Sequence, residues 1–163
     1  MLGDEFMNYK VRCAEANDYE EVGKLIKEIH NVYYEERPDV YLDEKNPTGK
    51  SHFDNLLKDT NTKFFVTEDK SIRKLIAYSI VKIAKHKKYN TKNIALIDSF
   101  AVETKRDTDF IGNMMFNHIV DYIKEKKINS FQVTIWEYNE AVIEHYKRFS
   151  FTSSRDLELS FDI

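Results

Sequence analysis

Three β-rich runs lie side by side near the middle of the chain: KFFVTE at 63–68, KLIAYSIVKIA at 74–84 and NIALIDSFAV at 93–102. Only turn or polar segments separate them, so they read as an antiparallel meander. An amphipathic helix follows over 111–127, with apolar Ile111, Met114, Met115, Ile119, Tyr122 and Ile123 at helical spacing and KEKK in its last turn, where cations complement the dipole. Before the meander, YKVRCA at 9–14 alternates as a first strand. Asn17 or Asp18 then caps a helix carrying Val22, Leu25, Ile26, Ile29, Val32 and Tyr33. Arg37-Pro38 ends it, because a residue before proline is pushed out of the helical region. A short helix is expected around Phe53, Leu56 and Leu57. After the long helix come a strand at 130–136, a helix from Asn139 through Phe149, and strands near 151–153 and 157–162. This order predicts an α/β sandwich with a mixed sheet.

At 163 residues the chain suits one domain, and 42 % hydrophobic with 33 % charged residues suits a folded, soluble one. Residues 1–7 read as an N-terminal extension, with Met7 an alternative start, and residues 8–163 as the domain. No apolar run reaches the roughly 18 residues of a membrane span, and the first ten residues show no signal peptide. Cys13 is the single cysteine, so no internal disulfide is expected and a cytoplasmic location fits. A net charge of −3 argues against nucleic-acid binding. Lys82, Lys85, Lys87, Lys88 and Lys92 around His86 read as a solvated hairpin loop. His52, His118, His145 and Cys13 lack ligand spacing, so no metal is expected.

Two stretches carry the chemistry. LIDSFAVETKRDTDFIGNMM at 96–115 is a strand, a polar turn and a helix start. FQVTIWEYNEAVIEHYKRFSF at 131–151 is a strand and a helix with Asn139, Ala141, Tyr146 and Phe151 spaced N-x-A-x4-Y-x4-F. Together they resemble the GCN5-related N-acetyltransferase (GNAT) superfamily. Arg12 with Asp18, and the strand through Ala77-Tyr78, resemble the same family. The resemblance implies a mixed, mostly antiparallel sheet of about seven strands flanked by about four helices.

It also implies acetyl-CoA as acyl donor and no metal. Phe100, Ala101 and Val102 would offer backbone to the pantetheine arm. The turn Arg106, Asp107, Asp109, Ile111, Gly112 and Asn113 would wrap the pyrophosphate at a helix N-terminus, where orphan N–H groups and the dipole favour anions. Asp107 and Asp109 stand where the family commonly has glycine, and one extra residue precedes Gly112. Asn139 would bond the pantetheine arm, and Tyr146, two helical turns on, would protonate the departing thiolate. Asp98 is either the base for the amine or a structural partner of a backbone amide or cation.

His30, Tyr33, Tyr34 and Arg37 share a helix face and are either part of the acceptor pocket or helix packing. The acidic Glu35, Glu36, Asp39 and Asp43 nearby suit a cationic amine. No nucleophile motif for an acyl-enzyme appears, so the expected activity is an acyltransferase moving acetyl directly to a primary amine, on a small molecule such as a polyamine or amino acid or on a peptide. The alternative is a non-catalytic domain of this fold that senses acyl-CoA or binds a partner. The terminal strands offer a homodimer interface.

Overall fold

A computed structural model describes residues 8–44, 47–85, 93–103, 105–128, 130–135, 140–149 and 151. The chain divides into two units, Met1–Val133 and Thr134–Ile163. The first carries a sheet of five strands in sequence order: β1 (Tyr9–Cys13), β2 (Thr62–Asp69), β3 (Lys74–Lys85), β4 (Asn93–Val102) and β5 (Phe131–Val133). The first three pairings are antiparallel and β4–β5 is parallel. Helices α1 (Tyr19–Glu36), α2 (Lys50–Lys58) and α3 (Thr108–Glu125) complete this unit, with a 3-10 turn at Ala16–Asp18 before α1.

The mixed, mostly antiparallel sheet agrees with the sequence, but its size does not. Five strands lie among the described residues rather than about seven. The terminal strands expected near 151–153 and 157–162 fall outside those residues except for Phe151, which is not in a strand. Of the run expected at 130–136, Phe131–Val133 is strand among the described residues, paired with Ala95–Ile97 of β4.

Alternation in β2 explains the two cores. Phe64 and Val66 join Val22, Leu25, Phe53 and Leu56 on the face covered by α1 and α2. Phe65 points to the other face, with Ile111, Met115, Ile119 and Ile123 of α3. A strand covered on both sides has no polar face, and Leu75 to Val81 of β3 are all buried.

Two helix ends differ from expectation. Asp18 precedes α1 without capping it; its carboxylate accepts both ends of the Arg12 guanidinium at 2.7 and 2.9 Å and the Glu15 amide at 2.7 Å. Helix α3 begins earlier than the apolar spacing suggests, since Asp107 caps it and accepts from the Phe110 amide at 3.0 Å. Its other end closes with Lys127 N–H on Lys124 C=O and Ile128 N–H on Ile123 C=O, a Schellman arrangement with Lys127 at φ 55° in the left-handed position.

The second unit holds α4 (Glu140–Arg148). The amides of Phe149 and Phe151 both bond the Tyr146 carbonyl, at 2.9 and 3.4 Å.

Candidate active site

The register of β3 and β4 slips by one residue: Ile80 faces Ser99 while Val81 faces Ile97, so Asp98 is the extra residue of a bulge. On its other side the β4–β5 register runs from Ala95 to Ile97 and so ends just before the bulge. Phe100 and Val102 pack toward the α3 face, and Ala101 is buried on the α1 face. An extended arm bearing amides fits a strand edge, because main-chain N–H and C=O groups can pair with it as an added strand does.

The strand runs through Glu103 into the start of α3. There the fit to an anion is partial. The Phe110 amide is committed to Asp107. The Arg106 guanidinium is held between Glu103 (Nε to Oε2, 3.1 Å) and Asp69 (Nη1 to Oδ2, 3.2 Å), and Lys74 also bonds Glu103. The hydrogen bond from Lys74 holds the Glu103 carboxyl below its ordinary range, helped by Arg106 and opposed by burial. Asp109 and Asn113 are exposed, whereas Ile111 and Gly112 are buried on α3.

Two consecutive polar residues at the bulge meet three residues of β3. Asp98 pairs with Lys82 at 2.8 Å. Ser99 Oγ donates to Tyr78 Oη at 3.0 Å, and the Ser99 carbonyl accepts from Ser79 Oγ at 2.9 Å. Tyr78, Ile80 and Lys82 alternate onto one face of β3, and Tyr78 and Ile80 belong to the α1-side core. Tyr78 is 3 % exposed; burial, with Ser99's bond opposing it, pushes its phenol up to about 12. Sequence reasoning noted Tyr78 only within a strand and passed over Ser99. The signal was present: two adjacent polar residues inside an apolar strand mark a bulge.

At the end of α1, His30 and Tyr33 converge on the following loop. His30 Nε2 lies 2.8 Å from the Leu42 carbonyl, and its ring meets Tyr41 edge-on at 5.9 Å. Tyr33 stacks on Tyr41 with ring centres 5.4 Å apart. Arg37 leaves the helix and forms a two-pronged pair with Asp39, at 2.8 and 2.7 Å. Tyr34 is half-buried. Tyr41 is the member of this group that helical spacing could not reveal, because the loop brings it back.

In the second unit Tyr146 is buried, and its ring meets Phe151 edge-on at 5.2 Å and His145 at 5.9 Å. Asn139 lies outside the described residues, as does the loop carrying His86, Lys87, Lys88 and Lys92. Among the described residues no group of three or more His, Cys, Asp or Glu could hold a metal ion, and no helix is long and apolar enough to cross a membrane.

Comparison with solved structures places this fold. A tetramutant of the BH1408 protein from Bacillus halodurans superposes with a TM-score of 0.84 at 22 % identity, over 93 % of this chain and 99 % of that one. A transcriptional regulator from Bacillus halodurans C-125 gives 0.75 at 19 % identity, over 94 % and 99 %. An aminoglycoside acetyltransferase from an uncultured soil metagenomic sample, in complex with sisomicin, gives 0.70 at 17 % identity, over 97 % of each chain. No family model matches the chain, and no curated protein matches it in sequence. The fold is that of the GNAT acetyltransferases.

Proposed function

We propose that this chain is an acetyl-CoA-dependent N-acetyltransferase acting on a primary amine, with residues 8–163 as the catalytic domain. The observation that carries the reading is the bulge at Asp98, just past the end of the β4–β5 register at Ile97, on a strand that leads into the start of α3. Phe100, Ala101 and Val102 would hold the pantetheine arm, together with Asn139. Arg106, Asp107, Asp109, Ile111, Gly112 and Asn113 would surround the pyrophosphate. Acetyl-CoA supplies an activated acetyl thioester. In this reading a backbone N–H at Phe100 would polarise its carbonyl, Asp98 would accept the amine proton through a water, and Tyr146 would give a proton to the thiolate. Reaction in a ternary complex then rests on positioning. His30, Tyr33, Tyr34 and Arg37 form the acceptor side. The acetyltransferase neighbour bound to sisomicin supports an amine acceptor, and the acidic Glu35, Glu36 and Asp43 close by support a cationic one.

A second reading, acyl-CoA sensing or partner binding without turnover, is favoured by the α3 N-terminus, where Asp107 occupies an amide and Arg106 is neutralised by two carboxylates. One titration separates the two. Acetyl-CoA and CoA should each raise the unfolding midpoint as they pass their dissociation constants, and a panel of sisomicin, spermidine and lysine should contain a substrate. Asp107→Asn keeps the cap, since asparagine and aspartate cap comparably, while removing the charge, and should enlarge the shift. Tyr146→Phe should lower turnover far more than it weakens cofactor binding. Binding without turnover of any amine would leave the sensing reading; no shift at millimolar ligand would remove both cofactor readings.

A further inference from the structure

We infer that Ser99 is the acceptor-orienting residue of this site, its hydroxyl receiving an N–H of the substrate amine, and that Tyr78 is a positioning residue that holds it. The inference rests on the acetyltransferase reading and assigns to it a residue pair for which the family resemblance supplies no role.

The bulge makes the arrangement possible. In a regular strand Asp98 and Ser99 would point to opposite faces. Two residues of β4 here oppose one of β3, so both side chains reach β3 residues that share a face, Asp98 to Lys82 and Ser99 to Tyr78. The candidate base and a hydroxyl therefore sit next to each other at the point where β4 parts from β5. Ser99 remains partly exposed and Asp98 is exposed, so a ligand can reach them.

Ser99 is fixed at two points. Its carbonyl takes the Ser79 hydroxyl, and its own hydroxyl is hydrogen-bonded to Tyr78 Oη. Whichever of the two hydroxyls donates, Ser99 Oγ keeps at least one lone pair directed away from Tyr78, so it can accept an N–H bond. Tyr78 stays a neutral phenol across the working range, because burial opposes its ionisation, so its contact with Ser99 does not change with pH. Phe64 and the α1-side core hold the ring, with centres of Phe64 and Tyr78 5.9 Å apart. The pair lies on the sheet face that α1 covers, the helix that also carries His30 and Tyr33.

The test uses the full chain and whichever of sisomicin, spermidine and lysine the wild type acetylates best. Ser99→Ala should raise the KM for that amine about tenfold, the scale of one lost hydrogen bond to a charged group, while the acetyl-CoA-induced rise in unfolding midpoint stays at the wild-type value. Ser99→Thr should restore most of the affinity. Tyr78→Phe should reproduce part of the Ser99→Ala effect on amine KM with little change in kcat, and adding it to Ser99→Ala should cost nothing more in KM. Calorimetry of the same amine on the protein without acetyl-CoA should show the same ranking. An unchanged amine KM in a folded, active Ser99→Ala would overturn the inference and leave the acetyltransferase reading intact. A wild type that acetylates none of the three amines would overturn both, and is a separate result from the first.

Discussion

At the scale of single residues, one buried group stands apart. Thr67 is fully buried in β2, and its hydroxyl has no hydrogen-bond partner among the described residues. It points to the same face as Phe65, toward α3. A buried hydroxyl without a partner carries a desolvation cost of roughly 1–3 kcal/mol. Thr67→Val keeps the shape and removes the hydroxyl, so it should stabilise the protein by about 1 kcal/mol, a rise of about 2–4 °C in Tm for a chain of this size. Thermal unfolding of the two proteins checks it, and a destabilised valine variant would mean that the hydroxyl does have a partner. The sequence offered no sign of this, since an alternating strand rich in Phe and Val reads the same whether or not one hydroxyl finds a bond. For Ser99 and Tyr78 the sequence marks a bulge, through adjacent Asp98 and Ser99, but not which residues meet across it. Their meeting depends on a one-residue slip in register, and register is set by pairing across the sheet rather than within either strand.

At the scale of elements, sequence reading served best where periodicity is long. The apolar stripe of α3 and the three-strand meander were legible because burial on one helix face, or on both sheet faces, repeats over many residues. Ends were legible only where one residue forces them, as Pro38 does after α1. The start of α3 was not, because a capping side chain rather than an apolar stripe sets it. Its far end carries a further prediction. Lys127 occupies the left-handed position that closes the Schellman arrangement, while Ile128 and Ile123 pack in the same buried cluster. Glycine adopts that conformation without the strain a β-carbon brings. Lys127→Gly should therefore raise stability by roughly 0.5–1 kcal/mol, net of the entropy glycine adds to the unfolded chain. Lys124→Gly, one turn earlier inside α3, should lower it by about 1 kcal/mol. Urea unfolding of both variants separates a special need for glycine at position 127 from a general effect of removing a lysine.

At the scale of the whole molecule, Arg12 ties the first strand to both its neighbours: to Asp18 before α1 and to Glu68 on β2, at 3.3 Å. Burial alone would push the Asp18 carboxyl up, but the Arg12 fork and the Glu15 amide outweigh it and hold the group below its ordinary range. A carboxyl depressed in the folded state binds fewer protons there than in the unfolded chain. Its contribution is present above the unfolded value near 3.9 and is lost as pH falls through the folded one. Asp18→Asn should thus be less stable than wild type at pH 7, with the gap narrowing below about pH 4. Denaturant titrations at pH 7 and pH 3 give the comparison, and a gap independent of pH would assign the loss to geometry rather than charge.

The parting of β4 from β5 has a consequence for how molecules of this protein treat one another. An uncovered strand edge is a template for intermolecular pairing, and chains that carry one tend to stick in crowded solution unless something interrupts the edge. Here such an interruption is present: a bulge that twists the strand and a charge, Asp98 with its Lys82 partner, at the point where the register with β5 ends. A kink and a charge at that point make this end of β4 a poor landing for a neighbour's strand, so it should resist turning into a seam between copies.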